Sequence, residues 1–137
     1  MKNLQSKGFT GFKESSVTNN GIEELRNEKE LIRKLDQWVY SKSYYQPEQT
    51  MQQVADSMGI SHGELSWVSR RVYGDSFLSL RKRLRLIDAC RMLVDYPDLP
   101  VAVIAYRVGI SDRTNFRRQF FSEFGMTPQE WRKKHHR

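Results

Sequence analysis

The stretch Pro100-Val-Ala-Val-Ile-Ala-Tyr-Arg-Val-Gly-Ile-Ser111 decides the reading of this chain, because it has a near copy at Thr50-Met-Gln-Gln-Val-Ala-Asp-Ser-Met-Gly-Ile-Ser61. Ala55/Ala105, Gly59/Gly109, Ile60/Ile110 and Ser61/Ser111 coincide at an offset of 50, and the apolar pairs Met51/Val101, Val54/Ile104 and Met58/Val108 fall in the same register. Each copy predicts a short helix with a small residue at its centre, where a second helix approaches closely. Glycine at a sharp turn follows, then serine as N-cap of the next helix. One residue is added later, so that Gly74 pairs with Gly125 at an offset of 51. Two copies of a helix-turn-helix in one small domain are unlikely by chance, and they set the class of function.

Composition narrows that class. The chain has 137 residues and 38% apolar content, enough for one domain with a modest core or two very small ones sharing a helix. No window approaches the roughly 18 uninterrupted apolar residues of a membrane span. The N-terminus has charges but no apolar h-region, so no secretory signal is read. A single Cys90 excludes an internal disulfide, and a cytoplasmic location is expected. The net charge of +7 is uneven: residues 1–66 hold 8 basic and 9 acidic side chains, net −1, while residues 67–137 hold 15 and 7, net +8. The second half therefore expects a polyanion. Three scattered histidines and one cysteine supply no base, nucleophile or metal cluster in mutual reach, so no enzyme, cofactor or metal site is expected. RNA recognition lacks its aromatic platform or glycine-rich clamp.

Residues 1–21 read as a flexible lead-in or linker, and residues 22–137 as the folded domain. Leu31, Ile32, Leu35, Trp38 and Val39 recur at helical spacing in a first helix that Tyr44-Tyr45-Gln-Pro47 ends. Thr50 caps the second helix, with Gln53 as capping-box partner. After Gly74, Ser76 or Asp75 caps a long linker helix over about 76–96. Its core stripe is read as Phe77, Leu80, Leu84, Ile87 and Met92, with Arg81, Lys82, Arg83 and Arg85 crowding its early turns. Cys90 reads as a packing residue in it. Subdomain 1 covers about 22–74 and subdomain 2 about 98–137.

The two recognition helices differ in what they offer. Ser61 to Tyr73 buries Leu65, Val68 and Val72 and turns Gly63, Trp67 and Arg70 outward, with Ser66 nearby. Trp67 suits a thymine methyl or sugar contact, or else packs on the protein. Arg70 and Arg71 are expected at phosphates. Ser111 to about Phe124 buries Phe116, Phe120 and Phe124, placing Thr114 and Arg118 near the opposite pole with Arg113, Asn115 and Arg117 flanking them. Arginine suits guanine O6 and N7, and asparagine suits adenine N6 and N7. Pro100 suits the first turn of its helix, and Thr127-Pro128 starts a last one. Arg132 and Lys133, like Arg81 and Arg83, are expected at phosphates.

Arg85-Leu-Ile-Asp-Ala89, Ile104-Ala-Tyr-Arg-Val-Gly109, Phe116 with Phe120, and Gly125-Met-Thr-Pro-Gln-Glu-Trp-Arg132 resemble the DNA-binding domain of the AraC/XylS family of bacterial transcription regulators, over about Leu31 to Arg132. The resemblance implies an all-α fold of about seven helices, with two helix-turn-helix subdomains joined by the linker helix. It also implies sequence-specific binding of double-stranded promoter DNA, usually activating through contact with RNA polymerase. By position it puts groove-facing sites on Gly63, Ser66, Trp67, Arg113, Thr114, Asn115, Arg117 and Arg118. Three residues depart from the family pattern: Ile110 for an aromatic, Pro100 for a serine cap, and Ser69 for the core aromatic of the first recognition helix, which weakens that core. Family members commonly carry an effector-binding or sensor domain ahead of this one, so the chain reads either as a short regulator or, preferably, as the C-terminal piece of a longer protein. The rival class is a protein-interaction module that has lost DNA reading and uses Trp67, Phe121 and the basic surface.

Overall fold

The computed structural model describes residues 22–136, with side chains from Asn27 onward. The lead-in expected over residues 1–21 and the terminal Arg137 lie outside the described residues. Among the described residues there are seven α-helices, one 3-10 turn and no strand. They run α1 Ile22–Tyr40, the turn Ser43–Tyr45, α2 Met51–Met58, α3 His62–Tyr73, α4 Phe77–Asp95, α5 Val101–Arg107, α6 Arg113–Phe124 and α7 Pro128–Lys134.

Side-chain caps set most helix starts. Thr50 accepts from the Gln53 N–H while the Gln53 side chain accepts from the Thr50 N–H, and the same reciprocal pair joins Ser61 to Glu64 and Thr127 to Glu130. Each box satisfies two backbone donors in the turn where a helix leaves its N–H groups without partners. Ser76, not Asp75, caps α4. Pro100 stands at the N-cap of α5, the serine-cap place the resemblance gave it and one residue ahead of the helix's first turn, with no side-chain bond.

The internal repeat is visible in the backbone. In both units the isoleucine after the turn glycine donates to the carbonyl of the central alanine, Ile60 to Ala55 at 3.0 Å and Ile110 to Ala105 at 2.9 Å. Both alanines are buried, as close approach requires. One register expectation is corrected: α6 is capped by Asp112, which accepts from the Asn115 N–H, and not by Ser111. The added residue therefore enters within the turn. Ser61 matches Asp112, and the buried pairs become Leu65/Phe116 and Ser69/Phe120.

Two cores share α4. Leu35, Trp38, Val54, Leu65 and Val68 pack with Phe77 and Leu80 of α4, while Leu86, Ala89 and Leu93 of α4 pack with Ile104, Val108, Phe116 and Phe120. At about 100° per residue, Phe77, Leu80 and Leu84 lie nearly opposite Leu86, Ala89 and Leu93 on the helix. The buried face thus changes sides between Leu84 and Leu86. This corrects the single stripe read from sequence. Ile87 continues the first face beyond the end of the first core and is 47% exposed. On α3, Val72 is likewise at the surface, and the buried position is Ser69, whose hydroxyl donates to the Leu65 carbonyl at 2.8 Å. The buried aromatic rings of the first core come from other elements: the Trp38 ring lies 5.0 Å from Phe77 and 5.9 Å from Tyr44.

Candidate nucleic-acid interface

α6 is positioned by its phenylalanines. Phe116 and Phe120 are fully buried with ring centroids 5.8 Å apart, and Phe124 continues the stripe at 4.7 Å from Phe120. The opposite face is left to solvent, where Thr114 and Arg118 are exposed and Asn115 is half-buried. Arg118 Nη2 donates to Asn115 Oδ1, so the two side chains behave as one unit. Arg113 and Arg117 lie to one side, lining with Thr114, Pro100, Val101, Pro128 and Gln129 an open cleft of about 520 Å³ between α5, α6 and α7. Two further exposed residues of α6, Phe121 and Ser122, were not singled out as groove-facing from sequence. The helical wheel held that signal for Ser122, which falls almost opposite the phenylalanine stripe.

α3 presents less. Gly63 is exposed, Ser66 is half-buried, and Trp67 is half-buried against the first core, the packing alternative of its two readings. His62, also exposed, stands in the first turn and was missed because the cap position hid it. Arg70 and Arg71 are exposed at the end of the helix.

Several arginines expected at phosphates are held by the protein itself. Arg81 Nη1 donates to the Gln49 carbonyl at 2.7 Å, its guanidinium lies 5.5 Å from the Phe77 ring centroid, and burial lowers its pKa. Arg132 donates from Nε to the Leu93 carbonyl at 2.9 Å and from Nη2 to Leu99 at 2.7 Å and Tyr96 at 3.2 Å. Those carbonyls end α4 and form the loop after it, so Arg132 is a side-chain cap for a helix terminus. Arg83 sits between Asp75 at 2.8 Å and Glu123 at 3.7 Å. Arg85 donates to the Tyr44 and Gln46 carbonyls, and burial, with Arg81 nearby, pushes its pKa down to about 10. Lys133 remains exposed. Burial pushes the Cys90 thiol up to about 12, which leaves it protonated and unreactive. Among the described residues no three His, Cys, Asp or Glu side chains gather as a metal site, and no helix is long and apolar enough to cross a membrane.

A family model described as a helix-turn-helix domain, of the AraC type, matches residues 54–134, more than half the chain, spanning both turns and α4. The chain belongs to the AraC/XylS family. Its AraC-type domain is that of a DNA-binding transcription regulator. It is similar to the RCS-specific HTH-type transcriptional activator RclR of Escherichia coli (strain K12), at 34% identity over 85 residues, and the match covers 62% of this chain and 30% of RclR's length. Among solved structures, the C-terminal domain of AraT, a response regulator from Geobacillus stearothermophilus, superposes with a TM-score of 0.71 at 27% identity, covering 78% of this chain and 87% of that one. The C-terminal domain of the two-component response regulator yesN from Fusobacterium nucleatum gives 0.64 at 26% identity, covering 77% and 98%. The departures from the AraC pattern are accommodated locally. Ile110 is buried in the second core in place of an aromatic, and Ser69 turns its hydroxyl back into its own helix.

Proposed function

We propose that this DNA-binding domain inserts α3 and α6 into successive major-groove segments on one side of the duplex, reads sequence mainly through α6, and activates transcription by contact with RNA polymerase. The observation that carries the reading is the repeated turn: the same alanine–isoleucine hydrogen bond closes the helix that precedes each of them, and each turns an exposed face away from its buried stripe. The 19 residues of α4 make a rod of roughly 30 Å, against about 34 Å per turn of duplex, which suits a monomer bridging two groove segments.

Within α6, Thr114, Asn115 and Arg118 are the base readers. Arg113 and Arg117, set in the cleft beside α5 and α7, suit the phosphates that flank the groove, since such contacts fix register without reading sequence. On α3, Gly63, Ser66 and the exposed part of Trp67 form the weaker head, with Arg70 and Arg71 at its backbone. Lys133 adds a phosphate contact. The activator role is supported by RclR, which is named a transcriptional activator.

Selection of bound sequences from a random duplex pool, followed by footprinting, tests this directly. A single protein should protect two adjacent groove segments of an asymmetric site. Inserting five base pairs, about half a turn, between the two half-sites should abolish the joint contact; unchanged affinity would mean that one head binds alone. Transcription reconstituted with RNA polymerase on a promoter carrying the selected site should rise with added protein, and no rise would sink the activator part.

A further inference from the structure

The segment between α1 and α2 packs with the first core, yet it is bonded to the part of α4 that serves the second. Asp88 is only 5% exposed and accepts at Oδ2 from the Tyr44 hydroxyl at 2.6 Å, the Tyr45 hydroxyl at 2.6 Å and Lys42 Nζ at 3.2 Å. Its other oxygen faces Arg91 at 3.2 Å. Three residues earlier on α4, Arg85 holds the Tyr44 carbonyl at 2.6 Å and the Gln46 carbonyl at 2.8 Å. The Tyr45 ring touches both cores.

The same segment meets the turn that launches α6. Gly109 has φ +100°, and a Cβ built there would stand 2.6 Å from the Tyr45 carbonyl oxygen and 3.0 Å from Arg85 Nε. Glycine is therefore required twice over, for its backbone angle and for the closeness of the first subdomain. The second helix-turn-helix does not hang from the end of a rod. Its turn rests against the first subdomain.

We propose that the Tyr44, Tyr45 and Asp88 cluster, seated against Gly109, fixes the setting of α6 relative to α3, and so makes these three positioning residues that determine which half-site spacing the protein accepts. The inference rests on the two-head reading given above. A buried carboxylate with several directional donors holds one geometry and resists small rotations, because each partner lost leaves a buried oxygen less fully hydrogen-bonded. One base pair of spacing moves a half-site by about 3.4 Å and turns it by roughly 35°, so tolerance of that change measures how firmly the heads are held.

The test compares the intact wild-type chain with the double variant Tyr44→Phe/Tyr45→Phe, which keeps both rings and removes both donors to Asp88. Duplexes carry the selected site at its natural spacing, with one base pair added or removed, and with the α6 half-site alone. The wild type should lose about tenfold on either shifted spacing, comparable to one mismatched base pair. The variant should lose less than about threefold on the same shift while binding the isolated half-site as the wild type does. Asp88→Asn, which keeps the volume and one acceptor, should fall between them.

A variant that keeps the wild-type spacing ratio overturns the positioning role. A variant weakened equally on every duplex, the isolated half-site included, also overturns it, because the cluster would then serve folding only. A wild type indifferent to spacing removes the two-head reading itself, and this inference with it.

Discussion

Asn115 and Arg118 show how a local bond alters what an exposed helix face can offer a ligand. Because Asn115 Oδ1 accepts from Arg118, one of its two lone pairs is taken and the pair presents mainly donors outward, the Asn115 amide N–H groups and the remaining guanidinium N–H groups. Adenine, which asks asparagine to accept from N6 and donate to N7, is a poor match, whereas guanine O6 and N7 both accept. The selected site should therefore carry guanine opposite this pair. Arg118→Ala should weaken that site by about ten- to a hundredfold, for a bidentate contact of about 1–3 kcal/mol, and should cost only about one phosphate's worth on scrambled DNA. Combining it with Asn115→Ala in a double-mutant cycle should reveal a coupling of at least about 0.5 kcal/mol; strict additivity would mean that the two side chains read independently. Trp67→Ala tests the other head. With the ring half-buried on the first core, thermal stability should fall together with affinity while the preferred bases stay the same, and a change of base preference in a fully folded variant would contradict the ranking of the heads.

At the level of the helix, α4 makes the sharpest demand, since one continuous helix must bury opposite faces in its two halves. Leu86→Ala, at a fully buried position, should cost about 2–5 kcal/mol in denaturant unfolding, and Ile87→Ala next to it less than about 0.5 kcal/mol. Equal costs would restore a single buried stripe. Arg132→Ala should lower stability by about 1–3 kcal/mol by leaving the carbonyls at the end of α4 without their donor, with the salt dependence of DNA binding unchanged. A salt slope shallower by about one unit, with stability intact, would return this side chain to the phosphates. Much of this was legible in the sequence. The repeat, the Thr50, Ser61 and Thr127 caps and the phenylalanine stripe of α6 are local patterns, and local geometry follows from them. The change of face on α4 was not legible, because a stripe search assumes one partner per helix and Ile87 fits the first half's period. The shift of the α6 cap from Ser111 to Asp112 was hidden because both residues can cap. The captive roles of Arg81 and Arg132 depend on carbonyls more than 30 residues away in the chain, which no spacing rule reaches. The exposed residues of α6 could be listed from the wheel, but the bond between Arg118 and Asn115 and the cleft beside Arg113 and Arg117 needed the folded structure.

For the molecule as a whole, charge and pH act through different groups. Affinity for DNA should fall linearly with salt on logarithmic axes at a slope of about −0.9 per phosphate contacted, and a flat response between low and physiological ionic strength would end the DNA reading. The slope should be smaller than the +8 of residues 67–137 suggests, since Arg81, Arg85 and Arg132 are turned inward. Acid should act at Asp88. Burial works to raise its pKa, but the hydrogen bonds from Tyr44, Tyr45 and Lys42 outweigh burial and hold it below the usual carboxylate range. A depressed folded-state pKa contributes stability that is present above about pH 4 and lost as the pH falls through the folded value. Wild-type stability should therefore drop more steeply below about pH 4 than that of Asp88→Asn, in urea titrations across that range; parallel curves would deny Asp88 this role. At the other extreme, burial and Asp88 raise the pKa of both tyrosines, so they stay neutral past their ordinary value, and the stability they contribute is full below about pH 10 and lost as the pH rises from there through the raised folded value. The two-faced helix has a last consequence, for how the protein can be taken apart. A chain cut after Tyr96 would carry Leu86, Ala89 and Leu93 bare to water, and one begun at Phe77 would do the same with Phe77 and Leu80. Either half, made alone, should therefore be less soluble and less stable than the intact chain: each half is the other's missing wall.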